Sequence, residues 1–289
     1  MLSKESSRSE LHTLMTGLAL GESPRWRDGR LWFSDWGAQE LIAVDLDGKS
    51  EVIVRFPTPT VPFCFDWLPD GHLLIVSGSE GLLLRRESDG SLVTHADLTG
   101  LSHHPWNEIV VDGRGNAYLN SIGFDFPSGE FAPGIVAMVG LDGSVRQVAD
   151  GVAFPNGMVV TPDNATLILA ESYGNRLTAF DIAIDGSLAN RRVWADLDGF
   201  PDGICLDAEN AIWYADVPNK RCVRVREGGQ VLRSIDLDRG CFACMLGGVD
   251  KRTLFMIANE WSGPDGMASG ARMGQVLTVE VPVLGAGWP

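Results

Sequence analysis

The chain has 289 residues, 45% hydrophobic and 21% charged, and a net charge of −15 from 23 Lys and Arg against 38 Asp and Glu. That balance argues against a nucleic-acid surface, which needs clustered cations to displace counterions, and no apolar run approaches the roughly 18 residues that span a bilayer. The length fits one all-β domain or two smaller domains, so the pattern along the chain has to decide.

The chain begins "MLSKESSRSELHTLM", with a cation but neither an apolar core nor a small-residue cleavage site, so the expected location is cytoplasmic. Five cysteines, Cys64, Cys205, Cys222, Cys241 and Cys244, are an odd number and fit reduced thiols better than a disulfide framework. Cys241 and Cys244 form a single C-x-x-C, which without a second pair reads as buried thiols before it reads as a zinc site.

After "ELHTLMTG" comes a repeating unit: "ESPRWRDGRLWFSD" from Glu22, "CFDWLPDGHLLIVS" from Cys64, "NEIVVDGRGNAYLN" from Asn107, "NGMVVTPDNATLIL" from Asn156 and "DGICLDAENAIWYA" from Asp202. A poorer sixth copy, "ACMLGGVDKRTLFM", starts at Ala243. Each is a short apolar strand, a polar turn and a second apolar strand. A third strand ending in a Gly-containing turn follows in most units, as in "LIAVDLDGK" and "IVAMVGLDGS", and then a fourth, as at Glu51–Phe56 and Leu92–Ala96. Asp-Gly between alternating apolar residues is a hairpin signal, because Gly takes positive φ without steric cost. A period in the forties with four strands per unit predicts an all-β, six-bladed β-propeller of four-stranded antiparallel blades, a single domain over 1–289. "ELHTLMTG" is the candidate for the outermost strand of the last blade, and the Gly263–Gly274 segment reads as a linker.

The first strand of every propeller blade lines the central channel, so residues in phase form a ring around one end of it. Here that ring reads Glu22, Cys64, Asn107, Asn156, Asp202 and Ala243. Asn or Asp before Gly is a common turn former, and Glu22 alone could be a solvated loop acid. In phase across four blades, these oxygen-bearing side chains point instead to a metal. Two carboxylates converging in a narrow channel lose hydration and repel, and a hard divalent cation removes that cost. Oxygen ligands by themselves do not distinguish Ca²⁺ from Mg²⁺, Mn²⁺ or even Zn²⁺; Ca²⁺ is the first expectation and the others are alternatives.

Through "GLALGESPRW", "FPNGMVVTPDNATLILAES", "FPDGICLDAENAIWYAD" and "GQVLTVEV", the chain resembles the regucalcin, gluconolactonase and luciferin-regenerating-enzyme family over nearly its full length. The resemblance implies a six-bladed propeller with one divalent cation at the channel mouth, held by Glu22, Asn107, Asn156 and Asp202. It also implies hydrolysis of lactones, with organophosphates as substrates of some relatives. The match departs from sugar lactonases around "SHHPWNEIVVD", where Pro105 stands in place of a frequent Arg, and at "SIGFDF", where Asp125 is the nearest acid. The pocket is therefore expected to be less polar than a sugar site, with Trp106, His104, Ser121, Phe124 and Asp125 contacting the substrate and Phe126 and His103 nearby.

The expected chemistry is metal-assisted opening of a lactone or related cyclic or aryl ester by water, with Asp202 as general base or, as a variant, as nucleophile. No G-x-S-x-G is present to support a serine hydrolase. A non-catalytic metal-binding propeller and a metal-dependent lyase or cyclase remain as alternatives. The expected partner is a small molecule, with neither nucleic acid nor membrane, and the oligomeric state is left open.

Overall fold

The computed structural model describes residues 10–264 and 271–287. Its 24 strands fall into six four-stranded antiparallel sheets arranged as the blades of a propeller. Strand β1 (His12–Leu18) precedes blade 1, which is β2 (Gly21–Arg27), β3 (Arg30–Asp35), β4 (Glu40–Val44) and β5 (Ser50–Arg55). Blade 2 is β6 (Phe63–Trp67), β7 (Leu73–Ser77), β8 (Leu82–Arg86) and β9 (Leu92–Asp97). Blade 3 is β10 (Trp106–Val111), β11 (Ala117–Ser121), β12 (Gly134–Val139) and β13 (Val145–Val152). Blade 4 is β14 (Pro155–Val160), β15 (Thr166–Glu171), β16 (Arg176–Ile182) and β17 (Leu188–Asp196). Blade 5 is β18 (Pro201–Leu206), β19 (Ile212–Asp216), β20 (Arg221–Val225) and β21 (Val231–Asp236). In blade 6, β22 (Gly240–Gly247), β23 (Thr253–Asn259) and β24 (Gly274–Glu280) pair in that order, and β1 adds outside β24, tying the two ends of the described chain into one sheet.

The apolar residues of the first and second strands bury between neighbouring blades; Phe33, Leu254 and Phe255 share a cluster with Trp213 and Cys205, and Trp106 and Ile109 share one with Cys64 and Val76. The turns explain part of the acidic composition. Asp70, Asp89, Asp112, Asp142, Asp163, Asp185, Asp207 and Asp250 each accept a hydrogen bond from the backbone N–H two residues on, closing the hairpin.

All five cysteines are unpaired and buried. Four converge between blades 5 and 6, with Cys205 Sγ 3.9 Å from Cys244 Sγ. Cys241 and Cys244 are both buried in that cluster. No helix among the described residues is long and apolar enough to cross a membrane. Residues 265–270 of the expected linker lie outside the described chain.

Candidate active site

The inner strand of five blades carries a register shift near the same end: Glu22/Arg25 on β2, Trp106/Glu108 on β10, Pro155/Met158 on β14, Pro201/Ile204 on β18 and Cys241/Ala243 on β22. A bulge leaves a residue outside the ladder and re-aims its side chain. Asn107, Asn156, Asp202 and Phe242 lie inside the shifted segments, while Glu22, opposite Ser34, is the last paired residue before one; all five line one cavity of about 600 Å³. Two members of the ring read from the sequence are corrected. Strand β6 runs in unbroken register with β7, so Cys64 sits opposite Val76 in the core, away from the cavity. In blade 6 the bulge shifts the phase by one residue, so Phe242 faces the cavity and Ala243 is buried against the neighbouring strand.

The glycines after Asn156 and Asp202 are strand residues, not turn residues. A Cβ on Gly157 would lie 2.6 Å from Ile204 N, and one on Gly203 would lie 2.6 Å from the Ala243 Cβ. Glycine lets the inner strands of blades 4, 5 and 6 approach closely enough to bring their bulged side chains to one cavity.

Charge at the cavity floor is unbalanced. Glu22 is buried, Asp202 is half-buried, and neither makes an ion pair among the described residues. Burial pushes the Glu22 carboxyl well above its usual range, and the charges of Asp202 and Glu108 push it further. Burial, then Glu108, raises Asp202 in the same way, opposed by a hydrogen bond from Asn156. No Lys, Arg or His lines the cavity among the described residues. The amide nitrogens are committed to protein acceptors: Asn107 Nδ2 donates to Pro155 O at 3.3 Å and Asn156 Nδ2 to Ser172 Oγ at 3.4 Å. That leaves each amide oxygen as the atom available to a ligand. Two carboxylates without a counter-ion and two amide oxygens form a hard, all-oxygen donor set, which fits a divalent cation such as Ca²⁺ better than a thiophilic one. Asn120, which the sequence reading passed over, steadies this end of the channel by donating to Asn156 O at 2.8 Å.

A second set of acids shapes the cavity wall. The middle strands β3, β15 and β19 end in Asp35, Glu171 and Asp216, each fully buried or nearly so. Asp35 accepts from the N–H groups of Ala19 and Leu20, Glu171 from Ala153 and Asp216 from Phe200. Each thus fixes the loop that leads into its inner strand and carries a wall residue, Leu20, Phe154 or Phe200. Arg176 and Arg191 pair with Glu171 at 2.9 and 3.1 Å, and Arg221 pairs with Asp216 at 2.9 Å. The recurrence of "FSD", "LAES" and "WYAD" at the ends of second strands was the sequence signal for these acids.

Of the expected substrate contacts, Asp125 lines the cavity, and its Oδ1 lies 3.1 Å from His104 Nδ1, from which it accepts when that nitrogen carries the proton. His104 itself does not line the cavity. Trp106 is fully buried between blades 2 and 3, because the bulge follows it and turns Asn107, not the indole, to the channel. Ser121 is buried and bonded to Ser102 Oγ at 2.8 Å. Phe124 lies behind the wall, against Phe126, Phe154 and Tyr173. The wall itself consists of rings the sequence reading did not single out, Trp36, Phe154, Tyr173, Phe200, Phe242 and Trp261, together with Phe126. Phe154 has φ of 56°, a left-handed conformation that costs an aromatic residue about 1–3 kcal/mol.

The family model described as SMP-30/Gluconolactonase/LRE-like region matches residues 20–260. The chain belongs to this family. Among its relatives is the regucalcin of Xenopus laevis, 28% identical over 267 residues, which span 86% of this chain and 84% of the relative. A solved luciferin-regenerating enzyme shares the fold with a TM-score of 0.81 at 17% identity, covering 96% of this chain and 97% of the other. A solved regucalcin of Agrobacterium tumefaciens, described as a calcium-binding protein, aligns with a TM-score of 0.80 at 22% identity over 97% of each chain. Within the family fold, Glu22, Asn107, Asn156 and Asp202 of this chain come from four blades and share one cavity.

Proposed function

We propose that the protein is a divalent-cation-dependent hydrolase that opens a lactone, or a related cyclic or aryl ester, at the mouth of the propeller channel. The observation that carries this reading is a pair of carboxylates without counter-ions, set with two amide oxygens in an otherwise mainly apolar cavity. Membership of a family described by its gluconolactonases supports the reaction class, and a calcium-binding regucalcin of the same fold supports Ca²⁺.

Glu22, Asn107, Asn156 and Asp202 would hold the cation. When bound, a divalent cation supplies Lewis acidity that polarises a carbonyl and makes water more acidic. Asp202 would take the proton from the attacking water on a carboxylate oxygen. Asn156 beside it favours its charged form, the form that can accept that proton. Glu22, buried and without a side-chain donor, would act as an anchor and charge balance. The apolar walls would exclude bulk water and strengthen every electrostatic contact at the floor.

The test is hydrolysis of a lactone and aryl-ester panel by metal-stripped protein, with Ca²⁺, Mg²⁺, Mn²⁺ and Zn²⁺ added back singly. Activity restored by a cation and lost in Asp202→Ala with the fold retained is the expected result. Full activity after exhaustive chelation, or no activity on any lactone, ester or phosphotriester with any cation, refutes the proposal.

A further inference from the structure

We infer that the substrate carries a flat, neutral aromatic body that lies against Phe154 and Tyr173 while its reacting group sits over Asn156 and Asp202; the nature of the reacting group rests on the hydrolase reading above. Phe154 and Tyr173 are stacked, with ring centroids 4.7 Å apart and planes at 28°, and both line the cavity. Phe124 closes behind them at 5.7 and 6.1 Å and is itself buried, so the pair is backed by a packed ring and cannot fold away.

Two features of this wall serve no need of the core. Tyr173 is 47% exposed, leaving aromatic surface open to solvent beside the carboxylates. Phe154 is held in a left-handed backbone conformation by surrounding bonds: Ala153 N donates to Glu171 at 2.8 Å, and Ser172 N donates to Phe154 O at 3.0 Å. A bulky residue maintained against its own backbone preference, two positions before a cavity-floor Asn, marks a placed ring rather than packing filler. Charge sets the other limit on the ligand. The described lining has no cationic side chain, and Asp125 is a carboxylate outside the set proposed to hold the cation, so an anionic body away from the cation would find no partner in the wall and would face Asp125. Beyond the four floor residues the only carboxylate or hydroxyl side chains in the described lining are those of Asp125, Ser172 and Tyr173, so most hydroxyls of a polyhydroxylated body would lie unpaired against rings.

Dihydrocoumarin, δ-valerolactone and glucono-δ-lactone present the same six-membered lactone with a fused arene, with none and with hydroxyls. The metal-loaded protein should prefer dihydrocoumarin. Phe154→Gly keeps the left-handed backbone and removes the ring. It should raise KM for dihydrocoumarin about tenfold with kcat little changed, and alter δ-valerolactone less than about twofold. Tyr173→Ala, at a partly exposed position, should act in the same direction without endangering the fold. Chroman, which has the arene and no ester, separates the inference from the reaction: it should bind the parent protein in calorimetry and bind about tenfold more weakly to either variant. Chroman binding without hydrolysis of any lactone would refute the hydrolase reading and uphold the aromatic seat. Preference for glucono-δ-lactone, or chroman binding that is absent or unchanged in both variants, would overturn the aromatic seat.

Discussion

Glu22→Gln should have opposite effects on the metal-free and metal-loaded protein. The parent carboxyl is 7% exposed, has no ion-pair partner, and is held well above its usual pKa by burial and by the charges of Asp202 and Glu108. An isosteric amide removes a carboxyl that, without cation, must either be buried charged with no counter-ion or take up a proton to stay neutral. The variant should gain about 1–3 kcal/mol in chelator, an increase of roughly 2–6 °C in Tm for a chain of this size. With Ca²⁺ the sign reverses. Losing one of two charged ligands should weaken affinity about 100-fold or more, since charge count is a main determinant of Ca²⁺ affinity. At a cation concentration of about 100 times the parent Kd, the parent gains about 2.7 kcal/mol and the variant less than about 0.5 kcal/mol. Calorimetric melting in chelator and in Ca²⁺, with titration calorimetry for Kd, reads both effects. A variant less stable than the parent in chelator, yet stabilised by Ca²⁺ as much as the parent, would refute the account of Glu22 as an uncompensated metal-site carboxylate.

The remaining tests address pH, strand approach and wall support. Glu22 and Asp202 have raised folded-state pKa values, so without cation they favour folding while protonated, and stability should fall as pH rises through those values. Glu171 is pushed up by burial but carried below its usual value by Arg176, Ala153 and Thr178; its contribution should be present above its unfolded pKa and lost as pH falls through the folded one. Melting in chelator should therefore show losses on both sides of a maximum, and added Ca²⁺ should selectively restore the high-pH side. Gly203→Ala places a Cβ 2.6 Å from that of Ala243 and should cost about 1–3 kcal/mol in urea unfolding, with weaker cation binding as blades 5 and 6 shift apart. Glu171→Ala strands the Ala153 N–H and two part-exposed arginines and should cost about 2–4 kcal/mol, measured the same way.

The blade pattern was legible because strand, turn and strand recur with Asp-Gly punctuation, and each of those signals is local. Glu22, Asn107, Asn156 and Asp202 were singled out by phase, which needs only the repeat, and the structure brings the four to one cavity. Their neighbours were harder to read. Asn156-Gly157 and Asp202-Gly203 look like turns, since nothing local reveals that the glycine is there for the adjacent inner strand. Bulges defeated the count elsewhere: one moved the channel position in blade 6 from Ala243 to Phe242, and another sent Trp106 into the core. The wall rings Phe154 and Phe200 come from loops whose direction depends on a buried acid in a different strand, a relation invisible to periodicity, and Tyr173 comes from the turn that follows one of those acids.

Three populations of acid coexist in this chain, and their partners distinguish their roles. Turn aspartates such as Asp112 and Asp207 accept backbone N–H groups from their own hairpin, so their charge is used locally and would be needed in any propeller. Asp35, Glu171 and Asp216 are buried but satisfied by loop amides, with arginines added at the last two. Glu22 and Asp202 have burial without counter-ions, and Glu108 nearby, itself facing Arg25 at 3.6 Å, makes their ionisation harder. A fold could relieve that cost by placing an amide at either position, as it does at Asn107 and Asn156. On the proposed reading, two carboxylates are kept where two amides would cost less burial because a cation balances them, and the open, aromatic side of the same cavity is the space in which that cation would meet a substrate.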